Sequence, residues 1–218
     1  MSVPIRSLVA SAVFVVAALA LPAQRSRRSN TSASFDYFVL TLSWAPDFCA
    51  SAGPKDPAEC GADRHTGFIV HGLWPQANGA RGPENCGAAQ RVPTKIVKAT
   101  LPYIPSAGLI QHEWKTHGTC SGLSAADYFA ALRKARDGVK IPPAFESLAK
   151  RRTESPTKVQ EQFATANPER TTSSIRATCT NGTLQDVRLC LDKSLRPRAC
   201  TPSAGGCKAA TIEILPVR

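Results

Sequence analysis

The stretch "FDYFVLTLSW", residues 35–44, decides the fold. It is rich in aromatic and β-branched residues, and Phe38, Leu40 and Leu42 recur at every second position, which turns them to one side of an extended chain. It reads as a buried strand. "GFIVHGLWP", residues 67–75, reads as a second strand, ended at Pro75 because proline has no N–H for a central ladder. Downstream, "SSIRATC", "TLQDVRLCLD" and "TIEILPV" also read as strands, the first two joined at Asn181-Gly182, a strong hairpin signal. Between them, "TKIVKATLPYI", broken near Pro102, "SAADYFAALRKARDG" and "SPTKVQEQFATANP" read as helices. The second has Ser124 as N-cap, Tyr128, Leu132 and Ala135 on one stripe, and Gly138 as its stop. This mixture predicts an α+β protein, a single domain with a central antiparallel β-sheet flanked by helices.

The chain has 218 residues, enough to bury a core. Its opening, "MSVPIRSLVASAVFVVAALALPAQ", places one positive charge, Arg6, before a short apolar run and small residues suited to signal peptidase. Residues 1–23 therefore read as a signal peptide, 24–34 as a flexible basic arm, and 35–218 as the folded domain. Export to the periplasm or beyond is expected, with no membrane attachment once the leader is cleaved. The cysteines agree with export. All eight (Cys49, Cys60, Cys86, Cys120, Cys179, Cys190, Cys200, Cys207) follow the leader, and an even number in an exported chain argues for four disulfides. No C-x-x-C pair is present, which disfavours a zinc cluster, but spacing alone does not assign the bridges.

The formal net charge is +11. Such a field raises the local concentration of polyanions and speeds their encounter, without choosing among RNA, DNA, anionic lipid and acidic polysaccharide.

"QHEWKTHGTC", residues 111–120, carries two of the four histidines. A zincin helix spaces its two histidines four apart, whereas His112 and His117 are five apart, about 140° round a helix. No metal site is expected there. With about 100° per residue, His112, Thr116, Glu113 and His117 share one arc, while Trp114 and Lys115 fall outside it. An opposing wall is offered by "VHGLWP", with His71 at a strand end and Trp74 close by. The fourth histidine, His65, reads as a surface residue. Histidines titrate near neutral pH, and a metal-free phosphodiester cleavage needs a nearby nucleophile, which RNA supplies in its 2′-hydroxyl and DNA does not. One histidine then serves as base toward that hydroxyl and another as acid toward the leaving 5′-oxygen, giving a 2′,3′-cyclic phosphate.

In order and spacing, "FVLTLSWAPDFC", "FIVHGLWP" and "HEWKTHGTC" resemble the ribonuclease T2 family of base-nonspecific secreted endoribonucleases, and the closing "VRLCLD…C…C…ILPVR" is similar to its bacterial branch. The resemblance implies that residues 35–218 form an endoribonuclease domain that needs no cofactor and takes RNA as substrate. It implies His71 as general acid, His117 as general base, and His112 with Glu113 as the pair that binds phosphate and stabilises the transition state. Trp74 matches an aromatic of the base site. The implied disulfides are Cys49 with Cys60, Cys86 with Cys120, Cys179 with Cys207 and Cys190 with Cys200.

One position departs from the family. A lysine usually precedes the second catalytic histidine; here Thr116 stands there and Lys115 one place earlier. A one-residue shift turns a helical side chain by about 100°, so Lys115 is expected to point away from the phosphate, with an arginine such as Arg64 or Arg81 as a substitute. Gln76 and Asn78 follow the "HGLWP" block as candidate base contacts, equally readable as turn caps. The alternative function is a catalytically weakened or silent RNA-binding relative. A basic lipid-binding protein is disfavoured because the helix from Ser124 to Gly138 shows no clear basic face. Monomer is the default expectation.

Overall fold

The computed structural model describes residues 1, 34–52, 57–61 and 66–217. The expected leader and basic arm, apart from Met1 and Ser34, lie outside these residues, as do Arg64 and His65. Among the described residues the chain runs β1 (Tyr37–Trp44), α1 (Ala45–Ala52), α2 (Pro57–Cys60), β2 (Phe68–Gln76), α3 (Thr94–Thr100), α4 (Ala107–Thr116), α5 (Ala125–Asp137) and α6 (Pro143–Glu146). It continues through β3 (Arg152–Glu154), α7 (Pro156–Ala166), β4 (Ile175–Thr180), β5 (Thr183–Leu191) and β6 (Ile212–Ile214). The fold is α+β, as expected.

β1 is the spine of the sheet. It pairs antiparallel with β2 on one side and β5 on the other, and β5 also takes β4. A β3–β6 pair joins β5 at Thr183↔Glu213 in parallel sense. The period-two pattern appears as two chemically different faces. Phe38, Leu40, Leu42 and Trp44 join Val70, Leu73, Val187 and Leu189 in the main core, capped by Tyr128, Phe129 and Leu132 of α5, Phe145 of α6 and Phe163 of α7. The alternate positions Tyr37 and Val39 pack with Cys190 and Ala204 in a smaller cluster, and Thr41 and Ser43 on the same side are also buried.

The expected end of β2 at Pro75 is corrected: the strand continues to Gln76, and Pro75 pairs with Phe38. β2 is an edge strand, where a missing N–H leaves no interior ladder bond unmade. Further up the strand, the Val70 N–H donates to the Tyr103 carbonyl at 3.0 Å, which covers part of that edge.

Local chemistry sets the other elements. The Ser124 hydroxyl accepts from the Asp127 N–H at the start of α5, and Ser155 does the same for Lys158 at α7. α5 ends at Gly138 and α3 stops before Pro102. Four disulfides join Cys49 to Cys60, Cys86 to Cys120, Cys179 to Cys207 and Cys190 to Cys200, the pairs that the family resemblance implies. At the β4–β5 hairpin, Asn181 and Gly182 both take positive φ, 51° and 82°, so the turn follows the strand twist. Gly182→Ala places a Cβ in that left-handed conformation and is expected to cost about 1 kcal/mol in denaturant unfolding with disulfides intact; an unchanged midpoint would contradict the turn assignment.

Candidate active site

The site forms where α4 meets β2, and a backbone irregularity on β2 aims its first histidine. Between Thr41 and Leu42 the β1 register jumps from Gly72 to Val70, leaving His71 as the extra residue of a bulge. A bulge bends the strand and re-aims one side chain. α4 is held in place at both ends. Ser106 caps its N-terminus by accepting from the Leu109 N–H, and the Gln111 amide exchanges two hydrogen bonds with the backbone of Val92. At the C-terminal end the Thr116 carbonyl, which has no helical partner of its own, accepts from the Asn85 N–H at 2.8 Å beside the Cys86–Cys120 bridge. The helix stops at Thr116, His117 is its C-cap, and the chain tightens into a short turn over Gly118–Cys120.

Glu113 enters the interface fully buried, at 0 % exposure. The Trp74 indole Nε1–H donates to its Oε2 at 2.9 Å, and its Oε1 lies 3.7 Å from His71 Nε2 with no hydrogen-bond partner. The approach depends on Gly72, because a Cβ there would overlap the Glu113 carboxyl and the Trp74 nitrogen. Trp74 packs against both imidazoles, its ring centroid 5.4 Å from that of His71 and 5.2 Å from that of His117. His112 lies exposed on the same helix, close enough that its charge depresses both other histidines.

The structure thus brings together His71, Trp74, His112, Glu113 and His117. Thr116 ends α4 half-buried next to His117, and Lys115 is exposed. Arg81 is exposed in the segment after β2. Asn78 is exposed just after β2, where its N–H donates to Asp36 Oδ2 and its side-chain oxygen accepts from Arg198, both distant in sequence. Gln76 lies beneath Gly82 with its Oε1 buried and unpartnered, on the same strand face as Trp74. Three residues of the site were missed from the sequence. Ser43 contacts His71, Asp186 contacts Ser43, and the Arg188 guanidinium lies 5.2 Å from the centre of the Trp74 ring. Their signal was present as polar residues two apart, Thr41 and Ser43 on an otherwise apolar β1 and Asp186 and Arg188 on β5.

Burial sets the protonation states. It pushes the Glu113 carboxyl up to about 8, opposed by the Trp74 hydrogen bond, so the group is neutral at pH 7. Burial, then the neighbouring charges of His112 and His71, push His117 down to about 4, which leaves it unprotonated at neutral pH. His71 is also lowered, first by burial, with the Asp186 charge opposing and those of His112 and Arg188 reinforcing the shift. Among the described residues no cluster of three or more His, Cys, Asp or Glu is arranged to hold a metal ion.

Comparison with known proteins gives a consistent picture. The sequence pattern of the Ribonuclease T2 family matches residues 35–200. A "Probable ribonuclease" of Haemophilus influenzae is 36 % identical over 126 residues, covering 52 % of this chain and 46 % of that protein. A "Ribonuclease" of Aeromonas hydrophila is 43 % identical over 95 residues, covering 43 % and 41 %. The chain thus spans less than half the length of either relative. Among solved structures, an RNase-related protein from Calystegia sepium superposes with a TM-score of 0.68 at 23 % identity, covering 84 % of this chain and 98 % of that one. Trichomaglin, titled an S-like ribonuclease, superposes with the same TM-score at 22 % identity, covering 85 % and 100 %. These two likenesses speak to the fold.

The Glu113 shift has a consequence for stability. The unfolded chain loses this proton near the ordinary 4.5 and the folded protein near about 8, so between them the folded state holds a proton the unfolded state lacks. The stabilisation is complete below about pH 4.5 and is lost as pH rises through about 8. Glu113→Gln is expected to flatten the decline of unfolding free energy across that window, by at most about 1.4 kcal/mol per pH unit, the worth of one proton. Equal slopes for variant and wild type would contradict the burial argument.

Proposed function

The chain belongs to the Ribonuclease T2 family, and on that footing we propose that it is an exported, metal-independent endoribonuclease that cleaves single-stranded RNA. The observation that carries the reading is the pair of imidazoles gathered against Trp74, with a buried neutral carboxyl beside one of them. A phosphodiester in this cleft meets a base and an acid at once. His117, unprotonated at neutral pH, accepts the 2′-hydroxyl proton; the 2′-oxygen attacks phosphorus; and His71 gives its proton to the departing 5′-oxygen. The products are a 2′,3′-cyclic phosphate and a free 5′-hydroxyl. Reversal of the proton roles, with water as nucleophile, then opens the ring to a 3′-phosphate. The nucleophile of the first step belongs to the substrate, so no metal-activated water is required and DNA is not cleaved.

Charge growing on the phosphoryl oxygens needs donors fixed in advance. Neutral Glu113 has a proton to offer from its unpartnered Oε1, and His112 stands at the rim as a second donor. Arg188 adds positive charge on the His71 side, which offsets part of what is lost with Thr116 in the lysine position. The net charge of +11 steers RNA toward the surface. Gln76, next along the Trp74 face, is the better placed of the two candidate base contacts. The four disulfides support an oxidising compartment, periplasmic or extracellular, in keeping with a cleaved leader at residues 1–23 and a basic arm at 24–34. Among the described residues no helix is long and apolar enough to cross a membrane.

Oxidised protein, given a short RNA and its all-DNA counterpart in excess EDTA, is expected to yield 2′,3′-cyclic ends from the RNA alone, read by mass. RNA binding without cleavage would favour the silent-relative reading that Thr116 raises. The pH profile follows from the two shifts. His117 must be unprotonated, so kcat/KM rises through about pH 4; His71 must be protonated, so it falls again below the ordinary histidine value of 6.5. A maximum on the acidic side is expected, and a maximum above pH 8 would contradict the assignment. His71→Phe and His117→Phe are each expected to abolish cleavage while RNA binding remains measurable.

A further inference from the structure

A row of three polar residues crosses the sheet behind His71. Ser43 on β1 is directly opposite Asp186 on β5, and Asp186 is directly opposite Thr178 on β4, so all three project from the same face. They are buried, Asp186 at 3 % exposure and Ser43 at 8 %. A buried carboxylate is costly unless its oxygens are occupied, and here they are. The Ser43 hydroxyl donates to Asp186 Oδ1 at 2.7 Å, while Asp186 Oδ2 takes the Thr178 hydroxyl at 3.2 Å and Arg188 Nη2 at 3.2 Å. Arg188 is held in turn by the Ala204 carbonyl, at 2.9 Å from Nη1. The mechanism above uses none of the Ser43, Asp186 and Thr178 side chains.

The proton count at Ser43 gives the row a consequence. A serine hydroxyl has one hydrogen, and that hydrogen is committed to Asp186, which as a carboxylate only accepts. Ser43 Oγ also lies 3.1 Å from His71 Nδ1. With its hydrogen used, it meets that nitrogen as an acceptor, so Nδ1 carries a proton and Nε2 is left facing the cleft, on the side of Glu113.

We propose that Asp186 is the positioning residue for His71, acting through the Ser43 hydroxyl to fix the imidazole tautomer and orientation and to place a negative charge behind the ring when it is protonated. Removing Asp186 leaves the Ser43 hydrogen free to turn toward Nδ1, which admits the other tautomer, with its lone pair at Nδ1 instead of at the Nε2 that must take up and deliver the proton. Asp186 is one of several charged or titratable groups that face His71. Arg188 beside it on β5, His112 and Glu113 on α4, and His117 beyond that helix complete the set, with Asp47 on α1 close enough to feel Asp186. Asp186 is the member of that set that favours the imidazolium.

The catalytic part of this proposal rests on the ribonuclease reading, but the tautomer does not, and the two are tested separately. Nitrogen-15 NMR of the histidine rings in the full-length oxidised protein, without RNA, reads tautomer and titration directly. Neutral His71 is expected as the Nδ1–H form in wild type. Ser43→Ala is expected to shift it toward the Nε2–H form, Asp186→Asn to lower the His71 titration midpoint, and Ser43→Thr, which keeps the hydroxyl, to retain the wild-type pattern. In RNA cleavage, Ser43→Ala and Asp186→Asn are expected to lose about ten- to hundred-fold in kcat with KM little changed, the range seen when the partner that orients a metal-bound histidine is removed. Asp186→Asn should also move the alkaline limb of kcat/KM to lower pH. Nε2–H as the resting form of wild type, or a tautomer and midpoint unmoved in both disruptive variants, would overturn the proposal. Wild type that cleaves no RNA while the NMR pattern holds would overturn the ribonuclease reading instead and leave the positioning of His71 standing. Should Asp186→Asn fail to fold, Ser43→Ala alone still decides, because a tautomer unmoved when the hydroxyl is gone excludes a relay through it.

Discussion

The close approach of α4 to β2 at Gly72 is the constraint on which the site depends. Without a side chain at that residue, a carboxyl group reaches the strand, takes the Trp74 indole N–H and ends 3.7 Å from His71. A larger residue would push the helix outward, and His112, Glu113 and His117 would move with it. Much of the surrounding structure secures this contact: the Gln111 clamp, the Asn85 bond to the end of α4, the Cys86–Cys120 bridge, and the Tyr128 hydroxyl that donates to the Leu73 carbonyl beside Gly72.

Tight packing in turn sets the chemistry. A carboxyl held this deep retains its proton, and imidazoles packed against an indole, with other histidine charges nearby, lose theirs easily. The same burial that costs stability at alkaline pH produces an unprotonated base and a hydrogen-bond donor without a metal. His71 departs from this pattern. It must deliver a proton from a site that disfavours one, and the Ser43–Asp186 row offers the compensating negative charge.

The sheet was legible because period two is a direct readout of a strand face: Phe38, Leu40 and Leu42 lie in the core as the alternation requires, and Asn181-Gly182 turns with the expected positive φ. The histidine blocks were legible because each sits in a short motif. What stayed hidden depended on strand neighbours. That Pro75 lies inside an edge strand follows from sheet order, which local sequence does not encode. Asp186 and Arg188 find their roles on another strand, since the β1–β5 register sets Asp186 opposite Ser43 and Arg188 opposite Thr41. The bulge at His71 did leave a trace, because an isolated glycine inside a strand, here Gly72, marks a bulge or a close backbone approach.

The central claim is that one phosphodiester fits between His71 and His117. The most direct test is a crystal structure with a 2′-deoxy dinucleoside phosphate, which binds but lacks the attacking hydroxyl. The account requires its phosphate in the cleft beside Trp74, with the 5′-oxygen toward His71 Nε2 and the C2′ position toward His117. A phosphate held elsewhere on the basic surface, with both imidazoles untouched, would contradict it.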